Sequence, residues 1–500
     1  MGMCFGPRAR EVTVIRDLAA TRQDDCLDQS PPAPYPEYRF GPLGRNNPVY
    51  PLVRNLFRMM GLDAARFGTP AWNPLGDLIR PGERVTVKPN LVYHEHYEGG
   101  KLHWVVTDPR VIRAVCDYAL LAVGREGEVI LGDAPLQSAD WDLICERLGL
   151  QSLPGFYERA GYRLSLRDFR TMRSVNVRGL KCSPRPLPGD PLGYRAVDLG
   201  DASLHAGREW ERYRVTNYDP QAMRAHHNGR RHEYLISGSV LSSSAVINLP
   251  KLKTHRKSGL TGPFKNLVGI NGCKDWLPHH AAGSVAAGGD EYNGERAWKR
   301  LASWLADRED TAASDGERFV WNAARRVVHR GGAAFSADRS WEGSWFGNDT
   351  LWRTILDLNR AAIYADAGGV LQETPQRRVF TITDAILAGE GEGPMAPSPV
   401  PAGCLLGAIH PLAAEFAGIR LAGWPEGRLR LLQGARGLRK YPLDPFHPAD
   451  LRIACFDTPE LLPSGFSGFV RTLRPAEGWA PLFEAAGEPA GGAIGEVQRA

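Results

Sequence analysis

Between Arg84 and Asp133 the chain spells out a complete strand, helix and strand, and this unit restricts the possible folds more than any other feature. RVTVKPN alternates Val85 and Val87 as a short buried strand does, and Thr107-Asp108-Pro109 has the cap and proline that open a helix. Val111, Ile112, Val115 and Ala119 then recur at helical spacing, Gly124 stops the helix near Val123, and EVILGD from Glu128 supplies a second strand. A strand, a crossover helix and a parallel strand form a βαβ unit, so the expected fold is α/β: a mainly parallel sheet flanked by helices. The same alternation returns in Ala245-Val246-Ile247, in RRVFTITDAILAG with a strand ending near Asp384, and in AGCLLGAI followed by a helix from Pro411 to Ala422.

The intervening stretches read differently and divide the chain. Residues 1–80 are expected to be an irregular arm, with DQSPPAPYPEY and GPLGRNNPVYP as its proline-rich centre. Residues 81–149 hold the first βαβ part and 150–235 an arginine-, glycine- and proline-rich insertion outside the main sheet. Lysine-rich motifs occupy 236–280, where Lys251–His255 is expected to be an exit loop. A helical insertion with Trp341, Trp345 and several arginines covers 281–350, where burial of the tryptophans is the simpler reading. Core returns over 351–425, and 426–500 is a C-terminal extension. Irregular or α+β segments therefore interrupt one α/β body.

Charge and cysteine usage exclude several classes. Basic residues number 61 against 56 acidic, a formal +5, too slight over 500 residues to indicate nucleic acid, and no aromatic ladder accompanies the basic residues. No run approaches the roughly 18 apolar residues that span a bilayer, so no membrane association is expected. The start MGMCFGPRAREVTVIRD lacks an apolar signal segment, and a cytoplasmic location is the expectation. Lipidation at Gly2 or Cys4 is discounted for want of its surrounding pattern. The eight cysteines include no Cys-x-x-Cys pair, so reduced thiols and no iron–sulfur cluster are expected.

In an open parallel sheet, ligands bind beyond the carboxyl ends of the strands. Four predicted strand ends carry charged or amide groups: Lys88 and Asn90; Asp133; Lys251, Lys253 and His255; and Asp384 with Glu390 and Glu392. Thr261-Gly262-Pro263 can start a short helix whose free N–H groups face an anion, with Lys265 adding charge and Asn266 adjoining it. This is not a phosphate loop of the Gly-x4-Gly-Lys-Ser/Thr type, so no nucleotide is specified. Lys274, Asp275, His279 and His280 follow, the His pair reading more simply as a surface feature. Asp384, Glu390 and Glu392, in a glycine-rich loop, could hold a divalent metal such as magnesium or supply an acid–base pair; a solvated acidic turn is the alternative.

The motifs KPNLV, TDPRVIRAV, LGDAP, NLPKLKTH, TGPFKNLVGI and DAILAGEGEGP, in that order, resemble those of the domain of unknown function 362 family, from about Arg84 to Gly423. The resemblance implies an α/β fold and a site drawn from Lys88, Asn90, Asp133, Lys251, Lys253, His255, Lys265, Asn266, Asp384 and Glu392, and it implies no reaction. Relatives with a cysteine-ligated ferredoxin-like module differ from this chain, which lacks the cysteine spacing. Relatives also tend to open the last segment with Asp-Pro, where this chain reads His410-Pro411 and then Glu415.

The expected function is therefore an enzyme for a carboxylated or phosphorylated small molecule. Lys88, Asn90, Lys251, Lys253, Thr261, Lys265 and Asn266 would bind the anion, while His255, Asp384 and Asp133 would be catalytic. His255 is the first choice for proton transfer, because neighbouring lysine charge favours a neutral imidazole. A noncatalytic metabolite- or partner-binding scaffold and a redox enzyme using an external cofactor are the competing expectations, the latter without a Gly-x-Gly-x-x-Gly between strand and helix.

Overall fold

The computed structural model describes residues 7–22, 30–44, 46–177, 180–336, 338, 340–457, 460–461 and 471–484. Gly2, Cys4 and the start of the proline-rich arm lie outside these residues.

One mixed sheet of eleven strands organises the chain. In chain order its strands are β1 (Glu11–Arg16), β2 (Arg84–Pro89), β3 (Glu128–Asp133), β4 (Leu164–Asp168), β5 (Ala245–Leu249), β6 (Lys251–His255), β7 (Gly259–Thr261), β8 (Arg378–Glu392), β9 (Ala396–Ala408), β10 (Arg452–Asp457) and β11 (Glu460–Leu461). Across the sheet they run β11, β10, β1, β9, β8, β5, β2, β3, β4, with β6 pairing beside β8 and β7 on β6. The run from β8 to β4 is parallel throughout, whereas β9 is antiparallel to both β8 and β1. The expected α/β architecture with a mainly parallel sheet is thus observed.

The predicted crossover helix is present over Pro109–Val123, with the Asp108 carboxylate accepting the Arg110 N–H at 2.9 Å and Gly124 leaving at φ 68°. Strand alternation divides the interior in two. Val85, Val87, Val129 and Leu131 pack on one face with helices Tyr50–Met59 (α1) and Pro109–Val123 (α2). Ile130 and Val246 face the other side, under the helices Leu351–Tyr364 (α4) and Pro411–Leu421 (α5); a short helix, Pro263–Asn266 (α3), sits at the carboxyl end of this layer. Side chains on both faces are what a doubly covered parallel sheet demands.

Several local expectations give way. The segment 1–80 is not irregular throughout, because β1 inserts between β9 and β10 and α1 packs beneath it. Within 150–235, β4 extends the main sheet beside β3. Lys251–His255 is a strand and not a loop: all five residues are buried, its ladder running along β8 and β7. The strand expected to end near Asp384 continues to Glu392 through a bulge between Ala385 and Leu387. Its glycines serve packing as well as turning, since a Cβ on Gly389 would stand 2.6 Å from the Lys253 Cβ. In the 281–350 segment Trp345 is buried and donates to the Asp290 carbonyl at 2.9 Å, and Trp341 stacks on Tyr292.

A lysine and histidine chamber at the strand ends

Six lysines and the histidines His255, His279 and His280 cluster near the carboxyl ends of β2, β3, β5 and the β6–β7 hairpin, and the lysines differ in what their ammonium groups meet. A first group is neutralised by the protein. The Lys88 ammonium lies 2.8 Å from Asp133 and also donates to the Pro89 carbonyl at 2.7 Å and Asn266 Oδ1 at 3.2 Å. Asp133 in turn accepts the backbone N–H groups of Leu91 and Ala134 at 2.7 and 2.8 Å. Gly269 crosses directly over this pair, where a Cβ would meet the Asp133 carboxylate and the Lys88 ammonium. Lys251 pairs with Asp384 at 2.9 Å, and Asp384 also accepts the N–H of Asp108 at 2.8 Å and of Ile386 at 3.0 Å. All four side chains are buried, so Lys88, Asp133, Lys251 and Asp384 are the chamber's framework and have little capacity left for a ligand.

Lys253 is buried without a carboxylate; its ammonium donates to the Val105 and Pro394 carbonyls. Burial and the charges of Lys251 and Lys265 hold it well below the usual lysine range. Lys257, half-buried at the hairpin turn, donates to Thr216 Oγ1 at 2.6 Å.

The second group has no such partner. Lys265 on α3 is half-buried and Lys274 is 7% exposed, and neither ammonium has a hydrogen bond or ion pair among the described residues. Burial, then the Lys88 charge, brings Lys265 down to about 8. Burial does the same to Lys274, down to about 7, with Asp133 opposing and Lys265, Lys88 and Arg170 adding to the depression. The Lys265 charge in turn helps to lower Lys253, Lys274, His255 and His279.

The two histidines beside Lys265 have opposite tautomers imposed by the backbone. His255 Nδ1 accepts the N–H groups of Lys257 at 3.0 Å and Ser258 at 3.3 Å, which leaves the neutral ring's proton on Nε2. His279 Nδ1 lies 2.7 Å from the Leu277 carbonyl, which can only accept, so its proton is on Nδ1 and its Nε2 lone pair is available. Burial, then surrounding lysine charge, keeps both imidazoles well below their usual range. His255, expected to transfer the proton, thus presents an Nε2–H, and His279 presents an Nε2 lone pair.

The anion site expected at the start of α3 is already filled from within. The Phe264 N–H donates to the Glu415 carboxylate at 2.8 Å, and a Cβ on Gly262 would press on the same carboxylate at 2.9 Å. Burial pushes Glu415 up to about 7. Thr261 contributes a buried hydroxyl with no hydrogen-bond partner. Asn266 and Asn90 join an amide chain: Asn266 Nδ2 donates to Asn248 Oδ1 at 2.7 Å, Asn90 Nδ2 donates to Asn266 Oδ1 at 3.2 Å, and Asn90 Oδ1 is buried without a donor.

The acidic segment does not fit a metal ion. An extended strand advances about 3.3 Å per residue, so Asp384 stands far from Glu390 and Glu392. Each carboxylate has its own cation: Lys251 for Asp384, Arg471 for Glu390 at 2.7 Å, and Arg256 for Glu392 at 3.1 Å. Among the described residues no group of three or more His, Cys, Asp or Glu side chains is placed to hold a metal. No described helix is long and apolar enough to cross a membrane.

The sequence expectation named Lys265 but left Lys274, His279 and Lys257 out of the site. The position of Lys274 in the NGCKDWLP run, just after the TGPFKNLVGI motif, was the available signal for it. Nothing local signals which ring nitrogen of His279 is engaged.

Comparison with known proteins gives a family for part of the chain. The profile of the domain of unknown function DUF362 matches residues 201–420, which include the chamber's hairpin, α3, Lys274, His279, Asp384 and Glu415. The motifs at Lys88, Asp108 and Asp133 precede the matched residues. No curated protein matches the chain. A crystal structure of a protein from Thermotoga maritima aligns at a TM-score of 0.30 and 11% identity, over 74% of this chain and 59% of that one.

Proposed function

With residues 201–420 forming a DUF362 domain, we propose that the chain is an enzyme acting on a carboxylated or phosphorylated small molecule held in the lysine and histidine chamber. The substrate's anion sits against Lys265 and Lys274 and accepts a hydrogen bond from His255 Nε2, while His279 Nε2 takes up a proton. The observation that carries this reading is a pair of lysines, Lys274 buried and Lys265 half-buried, whose ammonium groups have no acceptor among the described residues. A bound anion would stand to these two groups as Asp133 and Asp384 stand to Lys88 and Lys251.

Proton transfer follows from the tautomers. A neutral imidazole with Nδ1 anchored on a carbonyl presents a lone pair to substrate, and its neighbour with Nδ1 anchored on N–H groups presents a proton. A donor and an acceptor held in one chamber allow a proton to be removed at one substrate atom while charge is stabilised at another.

The test is the thermal midpoint of the purified chain against phosphorylated and carboxylated metabolites, followed by chemical analysis of every compound that raises it. The reading expects at least one class to stabilise the wild type and not Lys265→Glu, and one member of that class to be converted. Stabilisation with every ligand recovered unchanged would make the chain a binding scaffold. No stabilisation by any member would refute the anion site itself.

A further inference from the structure

We infer that Lys274 is a covalent catalytic group, whose ε-amine condenses with the carbonyl of an anionic aldehyde, ketone or 2-oxo acid to form an imine. This rests on the chamber being an anion site and adds the substrate class.

The lysines of the chamber differ in what holds their nitrogen. Lys88 and Lys251 are locked onto carboxylates, Lys253 onto two carbonyls and Lys257 onto Thr216. Lys265 is the more exposed of the remaining two and suits a clamp on the anion. Lys274 is the one that combines a 7% exposed side chain with an amine that donates to no described residue. Cations surround it, Lys265, Lys88 and Arg170, with Asp133 as the opposing charge. An amine desolvated among cations releases its proton easily, which is the general route to a nucleophilic lysine near neutral pH.

The turn that carries Lys274 is tied to the 219–226 segment. Lys274 opens the short turn Lys274–Trp276, in which Asp275 accepts the Asp219 N–H at 3.1 Å and Trp276 stacks on His226 with ring centres 3.3 Å apart. His279, coupled electrostatically to Lys274, keeps an Nε2 lone pair for the protons that move.

The step balances without an oxidant or reductant. The Lys274 lone pair attacks the carbonyl carbon and the carbon–oxygen π pair moves to oxygen, which takes the proton that His279 removes from the attached nitrogen. His279 then carries the second nitrogen proton to the hydroxyl, the C–O bond breaks, and water leaves as C=N forms. Lys265 holds the carboxylate or phosphate throughout, and His255 Nε2 donates to the oxygen as it becomes negative.

The experiment treats the full chain with pyruvate or glycolaldehyde phosphate in the presence of cyanoborohydride, which reduces imines to stable amines, and maps the adduct by peptide mass spectrometry. Acetone serves as the neutral carbonyl control. The expected result is a single adduct at Lys274 that saturates with either anionic probe, is suppressed by excess inorganic phosphate, and is absent with acetone. Lys274→Arg should lose the adduct; if that variant does not fold, the wild-type peptide map decides alone. Adducts scattered over surface lysines, an adduct at Lys265, or no adduct in a protein that phosphate stabilises would overturn the nucleophile and leave the anion site standing. No adduct together with no phosphate stabilisation would remove both.

Discussion

The carboxylate of Glu415 receives the backbone N–H of Phe264 at 2.8 Å, from a position 151 residues further along the chain. That bond closes the helix start at Pro263 to outside anions, so the proposed ligand site falls to Lys265 and the Lys274–His280 segment. It also gives a structural role to the α5 segment, which opens with His410-Pro411, since Glu415 caps the helix that carries Lys265.

Removing the anion from a framework pair should be costly. Asp384→Asn keeps the shape and leaves the Lys251 ammonium buried without its carboxylate, so the loss expected is about 3–5 kcal/mol. Chemical denaturation measures it. The double variant Lys251→Met with Asp384→Asn should recover much of that loss, because no charge is then stranded.

Lys265 should behave in the opposite way. Having no acceptor among the described residues, it stabilises the fold little, and Lys265→Met is expected to keep or raise the thermal midpoint while losing anion binding. A large fall in midpoint would show that Lys265 is framework after all.

Two lysines titrating near neutrality make both stability and binding depend on pH. Lys274 at about 7 and Lys265 at about 8 lie below the unfolded lysine value of about 10.4, so between these limits the unfolded chain binds more protons. Their contribution to stability is therefore fully present above about pH 10.4 and is lost as pH falls through about 8 and then 7. An anion raises both lysine values and takes up protons on binding, so its affinity should fall as pH rises across the same two values. Thermal midpoints recorded with and without inorganic phosphate from pH 6.5 to 9 test both signs.

Gly269 should tolerate no side chain. Because a Cβ there meets the Lys88 and Asp133 side chains, Gly269→Ala is expected to part that ion pair and lower the midpoint by several degrees, read by differential scanning calorimetry.

Local signals carried the regular parts of the fold and failed where a distant partner decides. The helix Pro109–Val123 was legible to the residue, because Asp108, Pro109 and Gly124 act on their own neighbours. Lys251–His255 looked like a loop because KLKTH has no apolar alternation. It is a strand because β8 lies alongside, with Asp384 133 residues away neutralising Lys251. The acidic glycine run read as a metal loop for the converse reason: its carboxylates find cations on Arg471 and Arg256, which no local pattern announces. In the site, residue types were legible and roles were not. Lys265 and His255 stood out as charged residues near strand ends, but the direction of the His255 proton depends on two backbone N–H groups of the following turn.

The most direct measurement is calorimetric titration of the wild type and Lys265→Met with inorganic phosphate and with oxalate at pH 7. The account predicts saturable binding of at least one anion to the wild type, accompanied by net proton uptake when the buffer is varied, and its loss in a Lys265→Met protein that unfolds at the same temperature or higher. Equal binding by both proteins, or no binding by either, would contradict the assignment of the chamber as the functional site.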